Sequence, residues 1–203
     1  MKWIDIDKKL QKSGFKVFSG REFQGITGAS LVAAKFMLMR HTNSGLLLRL
    51  KRDLYQCTNR TSSPWLIANQ LYKPSYLSLE SALSYYGLIP ESVYSVTSVT
   101  TKTTREFEAG GHLYSYRTIK ASAFGGYRSV KIADEQIMIA EREKALADYL
   151  YFVFLKKSFL NERLSFSGAK KRKLQNYLML FNKPDLWEWY RHDFKISDHR
   201  TAR

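Results

Sequence analysis

The sequence predicts an α+β fold in which a small basic module of helices and one hairpin precedes a β-rich domain with a helical tail. Three observations predict it. Residues 1–60 show three helical segments followed by a hairpin pattern, residues 93–140 are rich in strand-forming residues and alternate in polarity, and helical patterning returns from residue 141. Hydrophobic residues make up 44% of the chain, which is enough for a packed core.

The first module opens with three helices whose ends are marked by capping residues. Apolar residues near the N-terminus predict a helix that ends at Gly14. Ser19 is a suitable N-cap for a second helix, and Ser30 is a suitable N-cap for a third helix over residues 31–43. The three helices are therefore predicted from local signals alone.

A hairpin with a cationic turn follows the third helix. Residues 46–50 and 54–58 are predicted strands, and Lys51, Arg52 and Asp53 form the turn between them. Short helices, a longer helix and a hairpin, in this order, are typical of a winged helix-turn-helix. In such modules the third helix enters the major groove and the hairpin, or wing, lies against the phosphate backbone.

The candidate DNA-binding residues lie on the third helix and the hairpin. They are Ser30, Lys35, Arg40, His41, Asn43, Arg49, Lys51 and Arg52. Lys and Arg suit guanine or phosphate, and Asn suits adenine or a helix cap. The alternatives are a buried core helix with no nucleic acid, a surface or capping role for His41, and a merely solvated turn.

Charge along the chain is arranged in three blocks. Residues 1–75 carry 13 basic and 4 acidic side chains (+9), residues 76–155 carry 8 and 9 (−1), and residues 156–203 carry 12 and 5 (+7). Two cationic blocks around a neutral centre favour a polyanionic partner, nucleic acid above all, because neutralised phosphates release counterions. A generally basic, well-solvated surface is the alternative.

The domain organisation follows from composition. We predict a DNA-binding domain over residues 1–60, a linker with a connecting helix over 61–75, and an α+β domain with a basic tail over 76–203. Ser78 is expected to cap a helix over 79–86. The remaining elements are predicted strands over 93–101, 105–108, 113–119, 127–131 and 136–140, and helices over 141–155, 168–181 and 185–194.

Two charged segments of the second half are open to two interpretations each. The charges of Glu141, Arg142, Glu143 and Lys144 are expected to form a solvated helix face, and a functional site is the alternative. The tail cluster is either a second phosphate-binding patch or a solubilising face, and it consists of Lys170, Lys171, Arg172 and Lys173.

No catalytic or cofactor motif is found in the sequence. There is no phosphate-binding loop, dinucleotide fingerprint or metal-ligand spacing around its four histidines, of which His199 is one. A metal-dependent nuclease would need an acidic cluster, for which the only dense group is Asp134, Glu135, Glu141 and Glu143. We expect no enzyme activity, no cofactor and no metal.

The expected location is the cytoplasm. Cys57 is the only cysteine, so no intrachain disulfide can form. The acidic, amphipathic N-terminus does not resemble a signal peptide, and the longest apolar run is too short to span a bilayer. No membrane partner is expected.

Four segments resemble one known family. They are residues 76–91 (YLSLESALSYYGLIPE), 132–134 (IAD), 140–148 (AEREKALAD) and the hairpin residues 50–55 (LKRDLY). Together they are similar to the AbiEi-type antitoxins of bacterial type IV toxin–antitoxin systems. This chain departs from the family at Asp53, where members usually have glycine.

The resemblance implies a function. It implies an N-terminal winged helix that binds double-stranded operator DNA and represses its own operon, and a C-terminal domain required for antitoxin activity. It also implies a functional antagonist, a nucleotidyltransferase-like toxin, that is counteracted without a stable complex. The alternative is an RNA-binding or toxin-interacting module with no operator specificity.

Overall fold

The computed structural model describes residues 1–91 and 94–194, and it has an α+β fold. The predicted residues Val93 and His199 lie outside the described residues. By its internal contacts the chain divides into two compact units, Met1–Lys73 with Glu108–His112, and Pro74–Phe107 with the chain from Leu113 onward. Each unit is described by itself.

The first unit contains four helices and a three-stranded antiparallel sheet. The helices are α1 (Trp3–Ser13), α2 (Gly20–Thr27), α3 (Leu31–Asn43) and α4 (Pro64–Leu71). The strands are β1 (Val17–Phe18), β2 (Leu47–Lys51) and β3 (Leu54–Cys57). β3 lies between β1 and β2, and β2 and β3 form the predicted hairpin.

The predicted caps of this unit are confirmed. Ser19 and Glu22 form a reciprocal capping box at the start of α2. The Ser30 side chain accepts a hydrogen bond from the Ala33 N–H at the start of α3. Gly14 ends α1 with a φ of 74°, a left-handed conformation that glycine adopts without strain. Local chemistry therefore sets the boundaries of these helices.

One apolar cluster holds the first unit together. α1, α2, α3 and the sheet all contribute to it, and its buried members are Ile6, Leu10, Phe18, Phe23, Ala34, Leu38, Leu47 and Cys57. α3 faces this core along one side through Ala34 and Leu38, while its opposite side stays exposed. That exposed side is available for a function other than packing.

Within its described residues, the second unit contains a six-stranded mixed sheet and four α-helices. Its strands are β4 (Ser75–Leu77), β5 (Ser95–Thr100), β6 (Arg105–Ala109), β7 (His112–Thr118), β8 (Tyr127–Ile132) and β9 (Glu135–Ala140). They lie in the order β6-β7-β5-β4-β9-β8, with β5–β7 and β4–β9 parallel. Its helices are α5 (Leu79–Tyr85), α6 (Arg142–Phe154), α7 (Lys171–Met179) and α8 (Pro184–Asp193).

The prediction of a solvated charged face on α6 is wrong. The side chains of Lys144 and Asp148 are fully buried, and Lys144 Nζ lies 2.5 Å from Asp148 Oδ1. Glu143 is also buried. The Lys144 ammonium lies 4.7 Å from the centre of the Phe181 ring, just beyond α7. The segment that begins with α7 covers this side of α6, so Glu143 and Lys144 do not face water, whereas Glu141 and Arg142 are half-exposed.

The expectation that Ser78 caps α5 is also corrected. Ser78 occupies the N-cap position, but its side chain makes no capping hydrogen bond. Its hydroxyl donates instead to Asp148 Oδ2 at 2.7 Å, and the Tyr76 hydroxyl donates to the same oxygen at 3.2 Å. These bonds satisfy a carboxylate that is otherwise shielded from water, and they join β4 to α6.

Candidate nucleic-acid interface

A concavity in the first unit brings several predicted residues together. It lies between the start of α2, one side of α3 and the β2–β3 hairpin, and it has a volume of about 670 Å³. Its lining includes Lys35 and Asn43 from α3 and Arg49 and Arg52 from the hairpin. The fold thus brings predicted residues into one lining although the most distant of them, Lys35 and Arg52, are 17 positions apart in sequence.

The lining of the concavity is strongly cationic. Arg21, Lys35, Arg49 and Arg52 all line it and are all exposed. Arg21 was not among the residues predicted from the sequence, although its place in the first turn of the second helix of a winged-helix pattern was a usable signal. Exposed cations on three sides of one concavity form a site suited to a polyanion.

Asp53 is the one carboxylate in this lining. Its backbone has a φ of 59°, and its Oδ1 accepts a hydrogen bond from the Gly20 N–H at 3.0 Å. A Cβ at Gly20 would lie 2.5 Å from that oxygen, so a side chain at this position would displace the Asp53 carboxylate. Asp53 thus has a left-handed backbone conformation, which glycine usually adopts in such turns. Its carboxylate also interacts favourably with the N-terminus of α2.

Two predicted residues are placed differently from the rest. His41 is buried, with its ring 4.8 Å from that of Trp3. Burial, together with Arg40 and the N-terminal ammonium, lowers the pKa of His41. Lys51 is half-buried, and its ammonium donates to the Leu71 carbonyl. Neither side chain contributes to the lining of the concavity.

Ser30 and Arg40 complete the predicted set on α3. Ser30 is exposed but its hydroxyl caps the helix, so it acts in folding α3. Arg40 is exposed near the C-terminal end of α3 and lies outside the concavity lining. A basic side chain in the last turn of a helix interacts favourably with the free carbonyl groups at its C-terminal end.

The tail cluster is divided by the fold. Lys173 lies 2.7 Å from Glu141 Oε2 and 3.5 Å from Glu143 Oε2, which raises the pKa of the Lys173 ammonium. The Tyr177 hydroxyl donates to the same Glu141 oxygen at 2.6 Å, and together with Lys173 it lowers the pKa of that carboxyl. Lys170, Lys171 and Arg172 remain exposed. Lys173 therefore serves to hold α7 on α6.

Three of the four acidic residues considered for a nuclease site pair with basic side chains. Asp134 pairs with Lys131 at 2.8 Å, while Glu141 and Glu143 contact Lys173. Across residues 1–91 and 94–194, no group of three or more His, Cys, Asp or Glu side chains is arranged to hold a metal ion.

The chain matches no protein-family model, and no curated protein matches it either. Within the part of the chain that the structure describes, none of the helices has the length and apolarity needed to cross a bilayer.

Proposed function

We propose that this protein is a double-stranded DNA-binding transcriptional autorepressor whose first unit acts as a winged helix-turn-helix. The observation that carries the proposal is the concavity itself. Arg21, Lys35, Arg49 and Arg52 line it together, between a half-exposed helix and a hairpin.

The geometry of the helix and hairpin supports a duplex as the ligand. A B-form major groove is about 12 Å wide and admits one α-helix. With α3 in that groove, the concavity beside it would take the neighbouring sugar–phosphate strand. Arg49 and Arg52 on the hairpin and Arg21 on α2 would then contact phosphates, and Asn43 would lie near base edges.

We further propose that the second unit acts as a type IV antitoxin against a nucleotidyltransferase-like toxin. Support comes from the resemblance of residues 76–91 and 140–148 to AbiEi-type antitoxins. In the structure these segments share the buried contact between Ser78 and Asp148. The two segments are therefore linked in the folded chain as well as in the sequence pattern.

Salt-dependent binding of a double variant tests the DNA-binding proposal. Arg49→Ala/Arg52→Ala should weaken binding to a duplex from the region upstream of the gene. It should also reduce the slope of log K against log salt by about 0.9 for each phosphate contact removed. Fluorescence anisotropy of a labelled duplex at several salt concentrations measures both effects.

The matched control is Lys8→Ala/Lys12→Ala, which removes the same charge from exposed positions of α1 outside the concavity. It should leave the salt slope within about half a unit of the parent, on the scale of about 0.9 per phosphate contact. An equal loss in both double variants would show that general charge, rather than this site, drives binding. Tighter binding to tRNA than to duplex DNA would overturn the proposal in favour of an RNA-binding module.

A further inference from the structure

The exposed side of α3 carries an unusual number of large apolar side chains. The exposed fractions are 55% for Leu31, 63% for Val32, 62% for Phe36 and 55% for Met39. A helix on the surface of a small domain normally places polar residues there. These four residues do not serve the core, which α3 reaches through its other side.

The apolar side chains form two adjacent rows on the helix. Leu31, Lys35 and Met39 follow one another at intervals of four and line the concavity. Val32 and Phe36 form the next row, since residues four apart are neighbours on a helix surface. Few side chains on this side of α3 can form hydrogen bonds to base edges, so apolar groups make up most of the surface that α3 would present to a groove.

Charge complementarity decides which kind of partner suits this mixed surface. Lys35 lies within the first row, Arg40 lies beside the rows on α3, and the other nearby cations lie across the concavity: Arg21, Arg49 and Arg52. An ordinary apolar protein partner would bury these cations without compensation, at considerable cost. A duplex supplies both chemistries, because its phosphates face the cations and its major groove displays the 5-methyl groups of thymine as apolar contacts.

We propose, on the basis of the DNA-binding function proposed above, that α3 recognises its site chiefly through thymine 5-methyl groups, contacted by Val32, Phe36 and Met39. Hydrogen bonds from Lys35 and Asn43 add to this apolar readout at the edges of the site. The preferred sequence is then rich in thymine at the positions that face α3.

Base substitution tests the inference without changing any base-pairing hydrogen bond. The full chain is used to select duplexes from a random-sequence library, and the enriched duplexes are resynthesised with deoxyuridine in place of thymidine. Each contacted methyl group that is lost should weaken binding about fourfold, which corresponds to about 0.8 kcal/mol. The loss should be confined to a few adjacent positions.

A protein variant provides the second arm. Phe36→Ser and Val32→Ser alter exposed side chains, and each should reduce the ratio of thymidine to deoxyuridine affinity towards one. Arg49→Ala is the matched control, because it should weaken binding to both duplexes by the same factor and leave that ratio unchanged. Circular dichroism confirms that each variant is folded before its binding is measured.

The outcomes distinguish this inference from the proposed function. Tight duplex binding with equal affinity for thymidine and deoxyuridine would overturn the methyl readout and leave DNA binding intact. Failure to bind any duplex would overturn both. In a third outcome, the parent chain is a dimer in sedimentation, and Phe36→Ser is monomeric but keeps the preference for thymidine over deoxyuridine. This result would show that Phe36 serves dimerisation, and it would also overturn the methyl readout.

Discussion

Lys144 and Asp148 form a buried ion pair in which each side chain compensates the charge of the other. Both side chains are fully buried, and Asp148 also accepts hydrogen bonds from Ser78 and Tyr76. Withdrawing two charges from water is costly, and their attraction offsets this only when the remaining hydrogen-bonding capacity is satisfied. The structure meets that condition on the carboxylate side through two hydroxyl groups.

Removing one member of this pair should be severe. Lys144→Met keeps the length of the side chain but leaves Asp148 buried without its counter-ion. We expect the free energy of unfolding to fall by roughly 3–5 kcal/mol, since an uncompensated buried charge remains. Urea denaturation followed by circular dichroism measures the change.

The control for this prediction is Lys131→Met, which breaks the exposed pair with Asp134. It should cost no more than about 1 kcal/mol, because surface ion pairs contribute little. Equal and small losses in both variants would show that the buried pair does not stabilise the unit.

The burial of Lys144 and His41 could not be predicted from the sequence. Both lie in helices that mix polar and apolar residues. The periodicity of such a helix predicts one buried side, but it does not show whether other segments of the chain also cover a second side. Lys144 is covered by the chain that begins with α7, and His41 packs against Trp3. Each contact joins segments that are distant in sequence, so only the tertiary fold reveals it.

At the level of elements, Asp53 links the hairpin to α2. Its carboxylate accepts the Gly20 N–H, and its backbone adopts a positive φ that aspartate tolerates better than most residues. This bond fixes the hairpin turn against the helix terminus, and so it sets the width of the concavity from which Arg49 and Arg52 act.

Substitutions at Asp53 should separate stability from binding. Asp53→Ala loses the hydrogen bond and strains the positive φ, so we expect a loss of about 1–3 kcal/mol. Asp53→Asn keeps the acceptor oxygen, and asparagine also tolerates a positive φ. It should lower the free energy of unfolding by less than about 1 kcal/mol, because only the negative charge near the N-terminus of α2 is lost. Because it removes the only acid from the lining, Asp53→Asn should also tighten duplex binding. Thermal unfolding and anisotropy give the two readouts, and weaker binding by Asp53→Asn would contradict this account of the concavity.

Most elements of the fold were predictable because their signals are local. The caps Ser19 and Ser30 mark α2 and α3 by a short-range hydrogen-bond pattern, and the polar turn at residues 51–53 marks the hairpin. The strands β1 and β4 were missed, since two or three residues are too few to show alternation. The parallel pairing of β5 with β7 was likewise not predicted, because it depends on long-range contacts.

At the scale of the whole molecule, the cations of the two units are used differently. In the second unit several are held within the fold: Lys144 by Asp148, Lys173 by Glu141, and Arg142 by the Ser167 carbonyl. In the first unit the cations of the concavity lie exposed around one opening. The net charge of +15 therefore does not show by itself where the exposed cations lie, four of which surround the concavity.

This difference predicts that the two proposed functions, repression and antitoxin activity, can be separated. Arg49→Ala/Arg52→Ala should lose repression of a reporter placed behind the upstream region of the gene, because both changes remove phosphate contacts. The same variant should still protect cells from a nucleotidyltransferase-like toxin encoded by the neighbouring gene, because the second unit is unaltered. Lys170→Ala/Arg172→Ala, which removes two exposed tail cations, serves as the matched variant and should retain repression. Reporter activity measures repression, and colony counts under toxin induction measure antitoxin activity. Loss of both activities in the Arg49→Ala/Arg52→Ala variant would contradict the prediction, because it would show that both depend on the same nucleic-acid contact.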